Sequence, residues 1–334
     1  MAGHSRSKNG VASLAYAPAI SMRRAQCLPD RDRQDKPGDD GLPWEASLEK
    51  LKDLIGGPDL IVAPVALNPI MAQMAAEAGF KACYLSGGSL GWYKGVTEAG
   101  LSLTEMIQVA VDIRTVSPIP VVLDAGGGWG DPVHIHRTVA MSEAAGVACI
   151  EIEDQMLPRR VEHHVGIDHL VPIGLAADRI REAVAARTDP DLVIVGRTNA
   201  VRVGGMDDAL RRAEAMKAAG ADMLFVWGRK PEEMRFVAER LPPLLMTFAP
   251  PDGFSTFALS KAELAGLGYR LAASSGTAFA AMVKAVRQSY ACLAQDRMDP
   301  FLGPGGAERE MKAAHATTGL DRLVEIERRT MKAT

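Results

Sequence analysis

From residue 60 onward, short apolar runs alternate with longer segments of helical period. The runs at 60–66, 82–85, 119–123, 147–152, 192–196, 222–226, 244–248 and 269–273 have the length and composition of buried strands. The segments between them read as helices, and several carry start signals. Asn68-Pro69 opens one and Asp131-Pro132 another, each pair as N-cap and first helical residue. Ser102 with Glu105, and Ser260 with Glu263, have the spacing of capping boxes, in which hydroxyl and carboxylate each satisfy a backbone N–H. Further helices are expected over 176–186, 207–219, 231–240 and 277–294. Eight strand-then-helix units in one run predict a closed parallel (β/α)8 barrel, the TIM-barrel class of α/β fold. A Pro/Gly hinge (Pro300, Gly303, Gly305, Gly306) then leads to one more helix over 320–331, outside the ring. That helix is expected to lie across the barrel or to be exchanged with a neighbouring subunit.

The first 43 residues have a different character. Residues 1–29 hold no acidic residue but carry Arg6, Lys8, Arg23 and Arg24, rather like an organellar transit peptide. A disordered extension is the preferred reading, with a cytoplasmic location, because nothing in 1–43 has an apolar period to bury. The organisation expected is therefore an extension (1–43), a barrel (44–295) and a helical tail (296–334). A net charge of -3 gives no support for a nucleic-acid partner. No apolar run approaches the roughly 18 residues of a membrane span. Cys27, Cys83, Cys149 and Cys292 are scattered without metal-ligand spacing, and two lie in strand-like runs, so buried free thiols are expected.

In a barrel of this kind the chemistry collects where strands end. Those ends read Ser86-Gly87-Gly88, Asp124, Glu153-Asp154, Arg197, Trp227, Thr247 and Ser274-Ser275. After Glu153 come Arg159, Arg160, His163 and His164, a cationic loop suited to an anionic substrate beside a metal ion; a salt-bridged surface loop is the alternative. Carboxylates without a Cys/His cluster favour Mg2+, or Mn2+, over zinc. Gly87 and Gly88 would let backbone N–H groups approach an anionic oxygen, and Arg159, Arg160 and Arg197 can grip carboxylates in fork geometry. His134 and His136 suit capping or solvent-facing roles, Asp207-Asp208 a helix N-terminus, and Trp92 and Trp129 the core or a pocket wall. The glycine-rich run 126–130 lacks the Lys-Ser/Thr of a phosphate loop.

Four motifs in order, Tyr84-Leu85-Ser86-Gly87-Gly88, Val121-Val122-Leu123-Asp124-Ala125, Ile152-Glu153-Asp154-Gln155 with Pro158-Arg159-Arg160, and Val195-Gly196-Arg197-Thr198-Asn199, resemble the isocitrate lyase/phosphoenolpyruvate mutase superfamily over about residues 50–290. The resemblance implies a Mg2+-dependent barrel that stabilises the enolate of an oxo acid, assembled as a homo-oligomer, commonly a tetramer. It also implies roles by position. Ser86, Gly87 and Gly88 would hold the substrate carboxylate and oxo oxygen, Asp124 and Glu153 the metal, and Arg197 a substrate carboxylate. Arg159 stands for the family's lysine, Arg160 for its arginine, His163 for its histidine, and Glu98 for a common aspartate; these four are the expected catalytic residues.

Three departures shape the functional expectation. The loop reads Arg159-Arg160-Val161-Glu162-His163 where lyases of the family have Lys-Arg-Cys-Gly-His, so the proton-donating cysteine is missing. The usual Asp-Ala-Asp is Asp124-Ala125-Gly126, and a glutamate after strand six is replaced by Trp227. The expectation is a lyase acting on a small α-oxo or α-hydroxy dicarboxylate, with decarboxylation of an oxaloacetate-like substrate favoured. Retro-aldol cleavage of a methylisocitrate-like acid, phosphorus–carbon chemistry on phosphonopyruvate, and a non-catalytic carboxylate-binding barrel are the alternatives.

Overall fold

The computed structural model describes residues 49–331, Arg229 aside. The expected amino-terminal extension and Cys27 lie outside them. Eight parallel strands, β1 (Ile61–Pro64), β2 (Cys83–Leu85), β3 (Val121–Asp124), β4 (Cys149–Glu153), β5 (Val193–Thr198), β6 (Met223–Val226), β7 (Leu245–Phe248) and β8 (Tyr269–Ser274), form one sheet. Neighbours in sequence are neighbours in the sheet, β1 pairs with β8, and a parallel bridge from Val65 to Tyr84 joins β1 to β2. The sheet is therefore closed, as the eight repeated units predict.

The helices are α1 (Leu51–Gly56), α2 (Pro69–Glu77), α3 (Gly87–Tyr93), α4 (Leu103–Val116), α5 (Pro132–Ala144), α6 (Ile173–Ala186), α7 (Gly205–Ala218), α8 (Pro231–Ala238), α9 (Lys261–Gly266), α10 (Thr277–Leu293), α11 (Gly306–Thr317) and α12 (Leu320–Thr330). Both predicted Ser/Glu capping boxes form: the Ser102 hydroxyl accepts from Glu105 N–H at 3.3 Å, and the Ser260 hydroxyl from Glu263 N–H at 3.2 Å. The Asn68 side chain caps α2, and His134 Nδ1 accepts from Asp131 N–H at the start of α5. None of the helices among the described residues is long and apolar enough to cross a membrane.

Alternation along each strand divides the apolar residues into two layers, since successive side chains point to opposite faces. Ile150, Ile152 and Ile194 face the ring of helices, whereas Cys149, Val193, Val195, Met223, Phe225, Met246 and Leu271 fill the barrel interior. Leu51 and Ile55 of α1 belong to that inner cluster and stop its amino-terminal end. Cys83, Cys149 and Cys292 are buried free thiols.

Three helices differ from the sequence expectation. α1 is a short helix of 6 residues before the first strand. α3 begins within the Ser86-Gly87-Gly88 segment read only as a strand end, because the Ser86 hydroxyl caps it by accepting from Ser89 N–H at 3.3 Å. The tail holds two helices rather than one. α11 rests on α2, where Thr317 Oγ1 donates to Glu77 Oε2 at 3.4 Å, and α12 has no buried residue.

Candidate active site

The alternation that fills the barrel also aims its polar residues. On β4 the inward series is Cys149, Glu151, Glu153; on β5 it is Val193, Val195, Arg197. The register sets Glu151 against Val195 and Glu153 against Arg197. The interior thus turns from apolar to charged within two side-chain layers of its carboxyl end.

At the top layer Arg159 bridges two acids. Its Nη1 donates to Glu153 Oε1, and its Nη2 lies 3.2 Å from Glu98 Oε2. Asp124 completes the group, accepting from Gly87 N–H at 3.2 Å and Gly126 N–H at 3.1 Å. Glu98 packs so tightly on α3 that a Cβ at Gly87 would lie 2.6 Å from Glu98 Oε1. Burial, with the neighbouring Asp124 charge, pushes the Glu98 carboxyl up to about 8. Glu153 moves the other way. Burial works against its charge, but the Arg159 and Arg197 guanidiniums, with help from His163 and Asn199, bring it down to about 2.

One layer below, Arg197 Nη1 donates to Glu151 Oε1 at 2.5 Å, and its Nε lies 3.4 Å from Glu153 Oε2. The guanidinium is surrounded by the rings of Phe225, Trp227 and Phe248, whose centroids lie 5.1, 5.5 and 5.1 Å away. The Asn199 side chain fixes both partners, accepting from Arg197 Nε at 3.2 Å and donating to Glu153 Oε2 at 2.6 Å. Glu151, which Tyr84 also approaches through its hydroxyl at 3.3 Å, is pushed up to about 7 by burial, with Arg197 opposing. Asp154 points to the outer layer and is structural. It accepts from Thr198 Oγ1 at 2.6 Å, Asn199 N–H at 3.1 Å and Arg212 Nη1 at 3.3 Å.

The loop after β4 forms a 3-10 turn, Val161–Val165. His163 Nδ1 lies 2.5 Å from Asp168 Oδ1, and the same aspartate is 2.5 Å from Arg202 Nη2. His163 and His164 therefore stay on the cavity wall, held by a buried acid that the sequence reading did not single out. Arg160 turns outward, 3.8 Å from the Met156 sulfur. Val161 is 59% exposed, and Glu162 pairs at the surface with His169 at 2.7 Å.

A cavity of about 580 Å³ opens above this cluster, lined by Ser86, Gly88, Glu98, Asp124, Arg159, His163 and Arg197, with Trp92, Trp227, Phe248, Pro250 and Phe257 as an apolar wall. A second cavity of about 400 Å³, bounded by Leu101, Gly126 and Trp129, shares Glu98, Asp124 and Arg159 with the first. The structure thus gathers every expected site residue except Arg160 and Glu153 into the cavity lining. Glu153 sits just beneath as the partner of Arg159, and Gly87 lines the second cavity.

The donors can be tested against the Mg2+ or Mn2+ expected on Asp124 and Glu153. Both Glu153 oxygens are engaged, one by Arg159 and one by Asn199. Glu98 is paired with Arg159, and position 126 has no side chain. Among the described residues no group of three or more His, Cys, Asp or Glu is placed to hold a metal ion. A Mg2+ ion needs only one or two free carboxylates with waters, but Glu153 is held by Arg159 and Asn199, Glu98 by Arg159, and both Asp124 oxygens by the N–H groups of Gly87 and Gly126, so this donor set does not fit a divalent cation.

A closed parallel barrel with acids and arginines buried at its carboxyl end defines an enzyme-type (β/α)8 scaffold. The chain belongs to the phosphoenolpyruvate phosphomutase family, within the isocitrate lyase/phosphoenolpyruvate mutase superfamily, and the family's model matches residues 51–294. It is similar to 2,3-dimethylmalate lyase of Eubacterium barkeri, 32% identical over 281 residues that cover 83% of this chain and 96% of that protein. It is also similar to oxaloacetate decarboxylase of Paraburkholderia xenovorans, 34% identical over 206 residues, 60% of this chain and 68% of that protein. The structure matches that of phosphoenolpyruvate phosphomutase from Streptomyces platensis subsp. rosaceus with a TM-score of 0.76 and 28% identity, covering 84% of this chain and 98% of that one. Membership supports enzymatic carbon–carbon or phosphorus–carbon chemistry on small oxo acids as a class.

Proposed function

We propose that the chain is a carbon–carbon lyase that cleaves a small α-oxo or α-hydroxy dicarboxylate through an enolate of the pyruvate type. The observation that supports this reading is the cluster of Glu98, Asp124, Glu153, Arg159 and Arg197 beside a cavity of small-metabolite size. Such a substrate gathers charge on its oxo oxygen as the bond breaks, and cations fixed beside that oxygen favour the transition state over the ground state. In decarboxylation of an oxaloacetate-like acid, the C3–C4 bond breaks and carbon dioxide leaves. The bond pair stays on C3, forming the enolate of pyruvate, which takes a proton at C3. Glu98 keeps its own proton near neutral pH and stands in the cavity wall, which suits it as the donor. Arg197, immobilised by Glu151 and three rings, suits a substrate carboxylate.

A second reading is favoured by the apolar wall of Trp92, Phe248, Pro250 and Phe257. An alkyl-substituted hydroxy diacid would bury its methyl groups there. Its C2 hydroxyl would lose a proton and its C2–C3 bond would break, giving an oxo acid and a carbanion that must be protonated. The exposed position of Val161 supports decarboxylation instead, since the place of the family's proton-donating cysteine holds a side chain that cannot donate a proton. The purified chain is to be incubated with oxaloacetate, 2,3-dimethylmalate, methylisocitrate and phosphonopyruvate, while pyruvate, carbon dioxide, propionate, succinate and phosphate are measured. Pyruvate with carbon dioxide from oxaloacetate is expected to be fastest. Phosphate from phosphonopyruvate alone, or no product from any acid, would remove the lyase reading.

A further inference from the structure

Granting the lyase reading, we propose that the Arg159 guanidinium is the resident cation of this site and carries the charge on the substrate's oxo oxygen without a divalent metal ion. Position 126 supplies the first reason. A Cβ built on Gly126 would lie 3.4 Å from Arg159 Nη1, so the place from which a carboxylate would enter the site faces the guanidinium instead. The chain has an arginine head where a further acid would otherwise project, and the two features make sense together.

The second reason lies in what Arg159 leaves free. Its side chain is 8% exposed, and it holds Glu153 and Glu98 through its two terminal nitrogens. Its Nε is buried and has no hydrogen-bond partner. An orphaned charged donor at a cavity wall is costly unless an acceptor arrives with the ligand. With both terminal nitrogens held by acids, this N–H is the donor left for an oxygen of the oxo acid, beside the guanidinium's fixed charge. A third reason is that the two acids expected to hold a metal are already engaged, Glu153 by Arg159 and Asn199 and Asp124 by the N–H groups of Gly87 and Gly126.

Oxalate, a planar dianion shaped like the oxygen pair of the pyruvate enolate, is the probe. Calorimetry with chelator-treated protein should show oxalate binding without added metal and no heat of Mg2+ or Mn2+ binding. Arg159→Ala should weaken oxalate by about 10²-fold or more, as expected when one side of a buried charged contact is truncated. Because that variant leaves Glu153 uncompensated and can fail to fold, Arg159→Lys is measured beside it. Lysine keeps the charge but loses the fork, so metal-free binding should persist at lower affinity than in the native chain. Oxalate binding that needs Mg2+, or an Arg159→Lys protein that binds oxalate as tightly as the native chain, overturns the inference. Both arms are independent of turnover. Metal-free oxalate binding without cleavage of any diacid would refute the lyase reading alone, and cleavage that is lost with chelator and restored by Mg2+ would refute this inference alone.

Discussion

Glu151, one side-chain layer beneath the cavity floor, is joined at 2.5 Å to Arg197, which lines the cavity. Both are almost fully buried, so the pair holds Arg197 in place without competition from water. Removing one partner from a buried pair costs far more than the pair contributes, because the other charge is left bare. Glu151→Ala is expected to lower stability by about 3–5 kcal/mol. Glu151→Gln, which still accepts a hydrogen bond, should cost clearly less. Urea unfolding of both variants is the check, and equal losses would show that the lost charge at 151 accounts for the whole effect and the hydrogen bond for none of it.

Glu98 gives a pH prediction. Its folded carboxyl titrates at about 8, against an ordinary value of 4.5, because burial and Asp124 disfavour its charge. Between those values the folded protein keeps a proton that the unfolded chain releases, so this group makes stability fall as pH rises across that window. Glu98→Gln should flatten this part of the melting temperature profile between pH 5 and 8. If Glu98 is the proton donor, turnover should decline above about pH 8, and Glu98→Gln should lose about 10²- to 10⁴-fold in kcat. A variant with native kcat would exclude that role.

Gly87 is tested by adding one methyl group. A Cβ there meets Glu98 Oε1 at 2.6 Å, so Gly87→Ala must displace the Glu98 carboxyl from its place beside Arg159. Overpacking of this kind costs about 1–3 kcal/mol, a modest loss for a barrel of this size. The larger effect is expected on kcat, with KM less altered. A variant with native kinetics would mean that the position of Glu98 does not matter.

The outer face of α10 points to self-association. Tyr290 is 69% and Leu293 73% exposed, with Val286 and Phe301 nearby in sequence and also exposed. Large apolar side chains gathered on one helix mark an interface. Light scattering on the 35.6 kDa chain is expected to show an oligomer. Tyr290→Glu with Leu293→Glu should shift it towards smaller species, while a monomeric native chain would dismiss the surface.

The barrel was legible because the apolar runs recur eight times with helical segments between them, and the site because several of them end abruptly in a polar residue, as at Ser86, Asp124, Glu153 and Arg197. Glu151 escaped that reading because it lies inside a run, between Ile150 and Ile152, rather than at its end. The signal was there: alternation places Cys149, Glu151 and Glu153 on one face. α3 was missed for a different reason. Two glycines directly after a strand end gave no helix signal, and the contact of Glu98 with Gly87, a tertiary effect, has no local signature. Arg160 was expected in the site because it stands where the family has an arginine, yet adjacent residues of a short turn face opposite ways, and the structure sends only Arg159 inward. Asp168, the partner of His163, lies in a loop without periodicity to flag it.

Leu51 and Ile55 of α1 stop the amino-terminal end of the barrel. The side chains that fill the interior already make the site a cup rather than a channel, so α1 underlies a packed floor and takes no part in the traffic of substrate. Both fragments of a cleaved acid leave from the carboxyl-end side of the barrel, where the loop carrying His163 and His164 stands at the cavity wall.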